Sequence, residues 1–247
     1  IRPDIVYCSI TGYGQHGPKS AIAGHDLNYI ADTGLLSLSF GNTGKTVVPP
    51  ALVADIGGGT MPSVINILLA LLRKNASGEG AYIDIAMTDT MFTYAWWAYG
   101  LGEAFGDWPG NGDELLTGGS PRYQIFPTRD GRFVAVAALE QKFWMNLCEI
   151  VGLEDRLRDD RVDPAATTGA LRSIIGNKTA GEWDAIFKGK DCAASVSRTL
   201  SEATRDQHFI ERGLFDFVLE NDEGKTIPAL PVPVAPQFRD KAGSRTA

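Results

Sequence analysis

Apolar and polar positions follow two different periods along the chain. Ile5-Val6-Tyr7-Cys8-Ser9-Ile10 is a largely apolar run with turn residues after it, the pattern of a buried strand; with the Gly-rich turn that follows, it fills residues 1–18. Leu27, Ile30, Leu35 and Leu36 predict a helix within residues 24–38, interrupted at Gly34. Residues 42–50 read as a turn-rich loop ending in Pro49-Pro50. Residues 60–73 carry the strongest helical pattern: Thr60 suits a cap, Pro62 suits a first turn, and apolar residues from Val64 to Leu72 cover nearly every face, which predicts a buried helix. Ala81–Ala86 then reads as a strand. Strand, helix and strand in this order predict an α/β domain. Residues 87–99 read as helical, and residues 100–120, rich in Gly, Pro and Asp, as a linker. Tyr123–Thr128 and Phe133–Ala137, joined through Asp130-Gly131, predict a hairpin. Short helices are expected at 141–152, 165–175 and 180–188, and the polar residues 239–245 read as a loose tail.

Composition narrows the function classes. The 247 residues are 44% hydrophobic and 21% charged, ordinary globular usage, and the net charge of −7 without a basic run argues against a nucleic-acid partner. The apolar run Ile65–Leu72 falls short of the ~20 residues a membrane span needs, so no membrane partner is expected. Cys8, Cys148 and Cys192 are an odd number spread far apart, which argues against a disulfide scaffold and for a reducing, cytoplasmic compartment. No spacing of His and Cys suits a metal, so no metal site is expected.

Two motifs mislead. Gly12-Tyr13-Gly14-Gln15-His16-Gly17 spells a dinucleotide fingerprint after a strand, but Pro18-Lys19-Ser20 follows and no apolar helix opens there. Gly44-Lys45-Thr46 imitates the end of a phosphate-binding loop, yet Ser39 stands where a Gly is required and Pro49-Pro50 cannot open a helix. Two segments with chemical potential remain. His25, one of three histidines, sits among polar residues in Gly24-His25-Asp26-Leu27-Asn28-Tyr29-Ile30. Asp55 precedes Gly57-Gly58-Gly59 and the helix expected from residue 60, where free backbone N–H groups are expected to face a ligand and hold an oxyanion. Taken alone, each residue has a commoner use: a capping His, and an Asp closing a turn. Trp96, Trp97, Tyr99, Phe143 and Trp144 are candidates for an apolar acyl site, although core packing is the commoner use of such residues.

The run from Ile1 to Pro18, the Gly24–Ile30 segment, Asp55 in its Asp-Ile-Gly-Gly-Gly setting, Gly78–Asp84, Leu116–Tyr123 and Ala137–Trp144 together resemble the class III CoA-transferase family, and most closely its α-methylacyl-CoA racemase branch. The resemblance runs through nearly the whole chain in one order. It implies an α/β fold with a Rossmann-like large domain, incomplete at its N-terminus, and a smaller α+β domain, in an interlocked homodimer. Residues 1–99 would be the remainder of the large domain, 100–120 the linker, 121–215 the small domain and 216–247 a return segment. The family pattern starts upstream of Ile1 and ends in a helix beyond Ala247, so the resemblance implies a chain cut at both ends.

The same resemblance implies a lipid-metabolism isomerase that inverts the α-carbon of a 2-methylacyl-CoA thioester by two-base proton transfer. His25 and Asp55 would be the bases on opposite faces of the substrate, and Glu140 a third residue orienting His25. Gly24, His25, Asp26, Leu27, Asn28 and Tyr29 would contact coenzyme A, which enters as part of the substrate; no prosthetic group is implied. Two other readings stay open: a CoA-transferase with Asp55 as nucleophile, and a non-catalytic family member.

Overall fold

The computed structural model describes residues 2–39, 47–230, 232–238 and 244–246; the Gly44-Lys45-Thr46 motif lies outside them. Strand β1 (Val6–Thr11) leads through helix α1 (Asp26–Asp32) to a long helix that opens as a π-helix over Val53–Thr60 and continues as α2 (Met61–Ser77). Strand β2 (Ala81–Ala86) follows and pairs parallel with β1, Val6 opposite Ala81 and Thr11 opposite Ala86. A parallel pair requires a crossover, and the helices between the strands supply it. Then come α3 (Met91–Tyr94), α4 (Trp96–Phe105), β3 (Tyr123–Pro127), β4 (Phe133–Ala137), α5 (Gln141–Val151), α6 (Pro164–Gly176), α7 (Ala180–Phe187) and β5 (Ala194–Val196). Two short helices, α8 (Leu200–Ala203) and α9 (Gln207–Glu211), precede β6 (Val218–Glu220), β7 (Thr226–Pro228) and β8 (Ser244–Thr246). Among the described residues the strands form three sheets, ordered β1-β2, β3-β4-β5 and β7-β6-β8. The class is α/β, as the alternation of elements requires.

The chain divides into two compact units. The first holds residues 1–124, 136–174 and 191–193; the second holds 125–135, 175–190 and 194–247. In the first, Tyr29, Ile30, Ala54 and Met91 form a core against which Tyr13, Leu35, Leu36, Val53 and Met87 pack. Trp144, Leu147 and Cys148 on α5 are fully buried there, and burial pushes the Cys148 thiol up to about 11. In the second, Trp183 stacks on Phe187 at 5.2 Å, its Nε1 donating to the Ile175 carbonyl at 2.9 Å. The Asp130 carboxylate accepts from Thr128 Oγ1 at 2.6 Å and from the Ala180 amide at 3.0 Å; these two bonds hold its carboxyl below the ordinary range.

Several expectations change. The apolar helix is not buried: among its residues Ile65, Leu68, Leu69 and Leu72 are exposed, and only Ser63 and Ala70 of α2 are buried. One flank meets β1 and β2, while a two-stranded sheet is too narrow to cover the rest. β1 is half-buried for the same reason, and Tyr7 and Tyr82 stack on its open face at 5.5 Å. Thr60 is not a cap, because the helix starts seven residues earlier, at Val53. The combined helix, Val53–Ser77, has 25 residues and is long and apolar enough to cross a membrane, so the shorter apolar run understated its length. Residues 100–105 belong to α4, and Trp108 packs back over Gly102 of that helix. Residues 244–246 form a strand parallel to β6 where a loose tail was expected.

The π-turns follow from the glycines. A Cβ on Gly58 would lie 2.2 Å from the Met87 carbonyl oxygen and 2.9 Å from Met91 Cε. Only a residue without a side chain lets the helix approach the turn after β2 so closely. Gly58→Ala is therefore expected to destabilise the protein by about 1–3 kcal/mol through overpacking. Gly100→Ala in α4, where an added Cβ meets nothing within 4 Å, is expected to stabilise it by about 0.5–1 kcal/mol. Urea denaturation of both variants measures the contrast, and equal midpoints would refute it.

Candidate active site

His25 is the N-cap of α1, with extended backbone (φ −133°, ψ 177°). Its amide donates to Asn28 Oδ1 at 3.1 Å, and its carbonyl accepts from the amides of Asn28 at 2.8 Å and Tyr29 at 3.2 Å. The imidazole is carried on an exposed residue whose backbone is fully engaged. Behind it lies Tyr29, 5% exposed, whose hydroxyl donates to the Gly24 carbonyl at 2.6 Å. The ring fills the space between two glycines: a Cβ on Gly12 would fall 2.5 Å from it, and one on Gly24 2.8 Å. Tyr13 meets Tyr29 edge-on at 5.3 Å and donates its hydroxyl to Asp32 at 2.8 Å. Lys19 and Tyr13 together hold the Asp32 carboxyl below its usual range.

Asp55 is the third residue of the π-helix and is half-buried. The expected anion site at residues 57–60 is not there, because Gly57, Gly58 and Gly59 are buried inside a helix that starts at Val53 and runs on past them, the Met61 amide bonding back to the Ile56 carbonyl. The real N-terminus of the helix is occupied from within. Asp26, 6% exposed, accepts from the Ala54 amide at 2.7 Å and the Asp55 amide at 2.9 Å, both through Oδ2. A carboxylate suits a helix N-terminus, where free N–H groups and the dipole favour negative charge. Two bonds to a charged acceptor are worth about 1.5–3 kcal/mol each, while burying the ion costs several kcal/mol, so the two nearly offset. The effect of Asp26 is therefore placement: it fixes the start of the long helix, and with it Asp55, against the residue next to His25. The phenol of Tyr29 is pushed up by burial and, to a smaller extent, by the negative charge of Asp55.

Thus His25 caps α1 one residue before Asp26, and Asp26 is bonded to the backbone amide of Asp55 at the start of the π-helix. Leu27 and Asn28 are exposed beside His25, Gly24 is half-buried, and Asp26 and Tyr29 point into the protein. Glu140 lies in the same compact unit, exposed, as the N-cap of α5, and its carbonyl accepts from the Trp144 amide at 3.0 Å. Among the described residues no hydrogen bond or ion pair joins its carboxylate to His25 or Asp55. Of the aromatic candidates, Trp144 is core, while Trp96 and Tyr99 are exposed. The tethering role of Asp26 had no signal in the sequence, because its partners are backbone amides 28 and 29 residues away.

The model of CoA-transferase family III matches residues 1–246. The chain is 35% identical over 222 residues to alpha-methylacyl-CoA racemase of Mus musculus, covering 87% of this chain and 57% of that protein. It is 28% identical to succinate–glutarate CoA-transferase of Agrobacterium fabrum, covering 95% of this chain and 60% of that protein. A crystal structure of a CAIB/BAIF family protein from Brucella suis superposes with a TM-score of 0.76 at 26% identity, covering 99% of this chain and 65% of that one. The chain thus spans about three-fifths of the length of these relatives.

Replacing Asp26 by Ala leaves the Ala54 and Asp55 amides without their acceptor. The expected result is a loss of about 1–3 kcal/mol in stability and faster hydrogen exchange at those two amides than at their neighbours. Unchanged exchange at Ala54 and Asp55 would show that the carboxylate does not hold the helix start.

Proposed function

Since the chain belongs to CoA-transferase family III, we propose that it is the catalytic part of a 2-methylacyl-CoA racemase or epimerase working by two-base proton transfer. The observation that supports this reading is the Asp26 tether, which joins the residue after His25 to the backbone amide of Asp55. The α-proton of a thioester is weakly acidic, so its removal needs a positioned base. In one direction Asp55 takes the proton from the α-carbon and His25 returns one to the opposite face; in the other direction the roles reverse. Of the residues from Gly24 to Tyr29, the accessible Gly24, His25, Leu27 and Asn28 contact the coenzyme A portion of the substrate, while Asp26 and Tyr29 support them from within, and Glu140 orients His25. The racemase of Mus musculus, at 35% identity, supports this over the alternatives.

A second reading has its own support in the likeness to succinate–glutarate CoA-transferase. There Asp55 would attack the thioester carbonyl, forming a mixed anhydride and expelling CoA thiolate. The two differ in a single assay. In deuterated water without an acyl acceptor, a racemase exchanges the α-proton of 2-methylacyl-CoA, whereas a transferase leaves it in place and requires a second acid.

For the natural full-length protein we expect His25→Ala and Asp55→Asn each to reduce inversion at least ~100-fold, the scale of a lost acid or base. Each variant should retain exchange for one enantiomer only. Equal loss of exchange for the R and S thioesters in both variants would refute the opposed-base assignment.

The enzyme is further proposed to act in the cytoplasm as an interlocked homodimer. The apolar faces left exposed on the long helix and at Trp96 and Phe105 support an extensive interface. Light scattering of the natural protein at micromolar concentration should give a dimer mass; a monomer would refute it.

A further inference from the structure

We propose that Arg122 is the positioning residue for Glu140, gripping the chain on both sides of it. The proposal rests on the reading of Glu140 as a group that serves His25. Arg122 Nη1 donates to the Leu139 carbonyl at 3.2 Å, and Nη2 donates to Gln141 Oε1 at 2.8 Å. These are the residues immediately before and after Glu140. The guanidinium is itself fixed. Its Nε donates to both oxygens of Asp160 at 3.0 Å, and Nη2 reaches Asp160 Oδ1 at 2.7 Å. The two side chains are only 14% and 9% exposed. The guanidinium lies 5.0 Å from the ring centre of Trp144, which is wholly buried and donates its Nε1 to the Arg158 carbonyl at 2.7 Å.

The chemistry suits placement better than stability. A buried ion pair seldom adds net stability, since desolvation offsets its attraction. It does supply a rigid platform, and here the free edge of that platform faces a short turn. Glu140 bears no capping bond from its own side chain, so the direction of its carboxylate depends on the backbone of residues 139–141. One planar fork holds a carbonyl on one side and an amide side chain on the other, which leaves that backbone little freedom. Lysine, a single point donor, cannot make the same set of contacts. All the residues involved belong to one compact unit.

The test is a mutant cycle in the natural full-length protein, using Arg122→Lys, Glu140→Gln and the double variant. The assay is α-proton exchange of a 2-methylacyl-CoA well below each variant's melting temperature. Glu140→Gln alone should lower kcat by on the order of 10–100-fold, as for other orienting partners, and move the limb of the pH profile assigned to His25. Arg122→Lys should lower kcat on the same scale, with KM changed by less than about twofold, and move the same limb. In the double variant kcat should fall no further than in Glu140→Gln, even where the melting temperature does. Gln141→Ala, which removes one grip from an exposed position, should give a smaller loss that also vanishes in the Glu140→Gln background. Losses that multiply in the double variant would overturn the proposal while leaving the Glu140 reading intact. An unchanged rate and pH profile in Glu140→Gln would overturn that reading, and this proposal with it.

Discussion

The carboxylate of Asp26 joins the two halves of the candidate site. It is buried, it follows His25 directly, and it accepts both amides that open the long helix at Ala54 and Asp55. The consequence is geometric. Without that acceptor the N–H groups would need water or another anion, and only the packing of Tyr29 and Ile30 against Val53 and Ala54 would relate the start of the helix to α1. Tyr29 completes the arrangement from the other side. Its ring fills the gap left by Gly12 and Gly24, and its hydroxyl ties the carbonyl that precedes His25. Asp26 and Tyr29 occur in the same seven-residue helix, so one short element bonds both to the carbonyl before His25 and to the amide of Asp55.

A second constraint is the distribution of apolar surface. The long helix buries its glycines against Met87, Met91 and Tyr94, yet leaves Ile65, Leu68, Leu69 and Leu72 exposed. A parallel sheet of two strands shields only one flank. Such strands are usually covered on both faces, and the stacked Tyr7 and Tyr82 mark the open one. The first unit thus combines a closed, well-bonded core around Tyr29 and Met91 with a broad apolar exterior.

Around Glu140 the order of support runs the other way. The Glu140 side chain is exposed, and the rigid elements stand behind it: Trp144 in the core, Asp160 paired to Arg122, and Arg122 bonded to residues 139 and 141. In both places a buried charge does little for net stability and much for position. Precision at an exposed side chain depends on the rigidity of the backbone beneath it.

Local elements whose signals are short-ranged were legible in the amino-acid order alone. The strand at Ala81–Ala86, the Asp-Gly hairpin turn before Phe133, the helix opening at Gln141 and the break at Gly34 all follow from periodicity or turn chemistry within a few residues. Motif resemblance also singled out His25, Asp55 and Glu140. What only the tertiary structure decided depends on partners far away in the chain. The glycines after Asp55 read as a free helix start. They are instead the interior of a π-helix that starts at Val53, where Met87 and Tyr94 lie so close that a Cβ would not fit. The helix at 61–77 read as buried from its apolar faces, but burial is set by what lies alongside, and the adjacent sheet is narrow. Asp26 and Arg122 carried no local mark of their roles. Each acts on backbone groups that only folding brings within reach, a relation that hydrophobic period, capping and turn propensity do not encode.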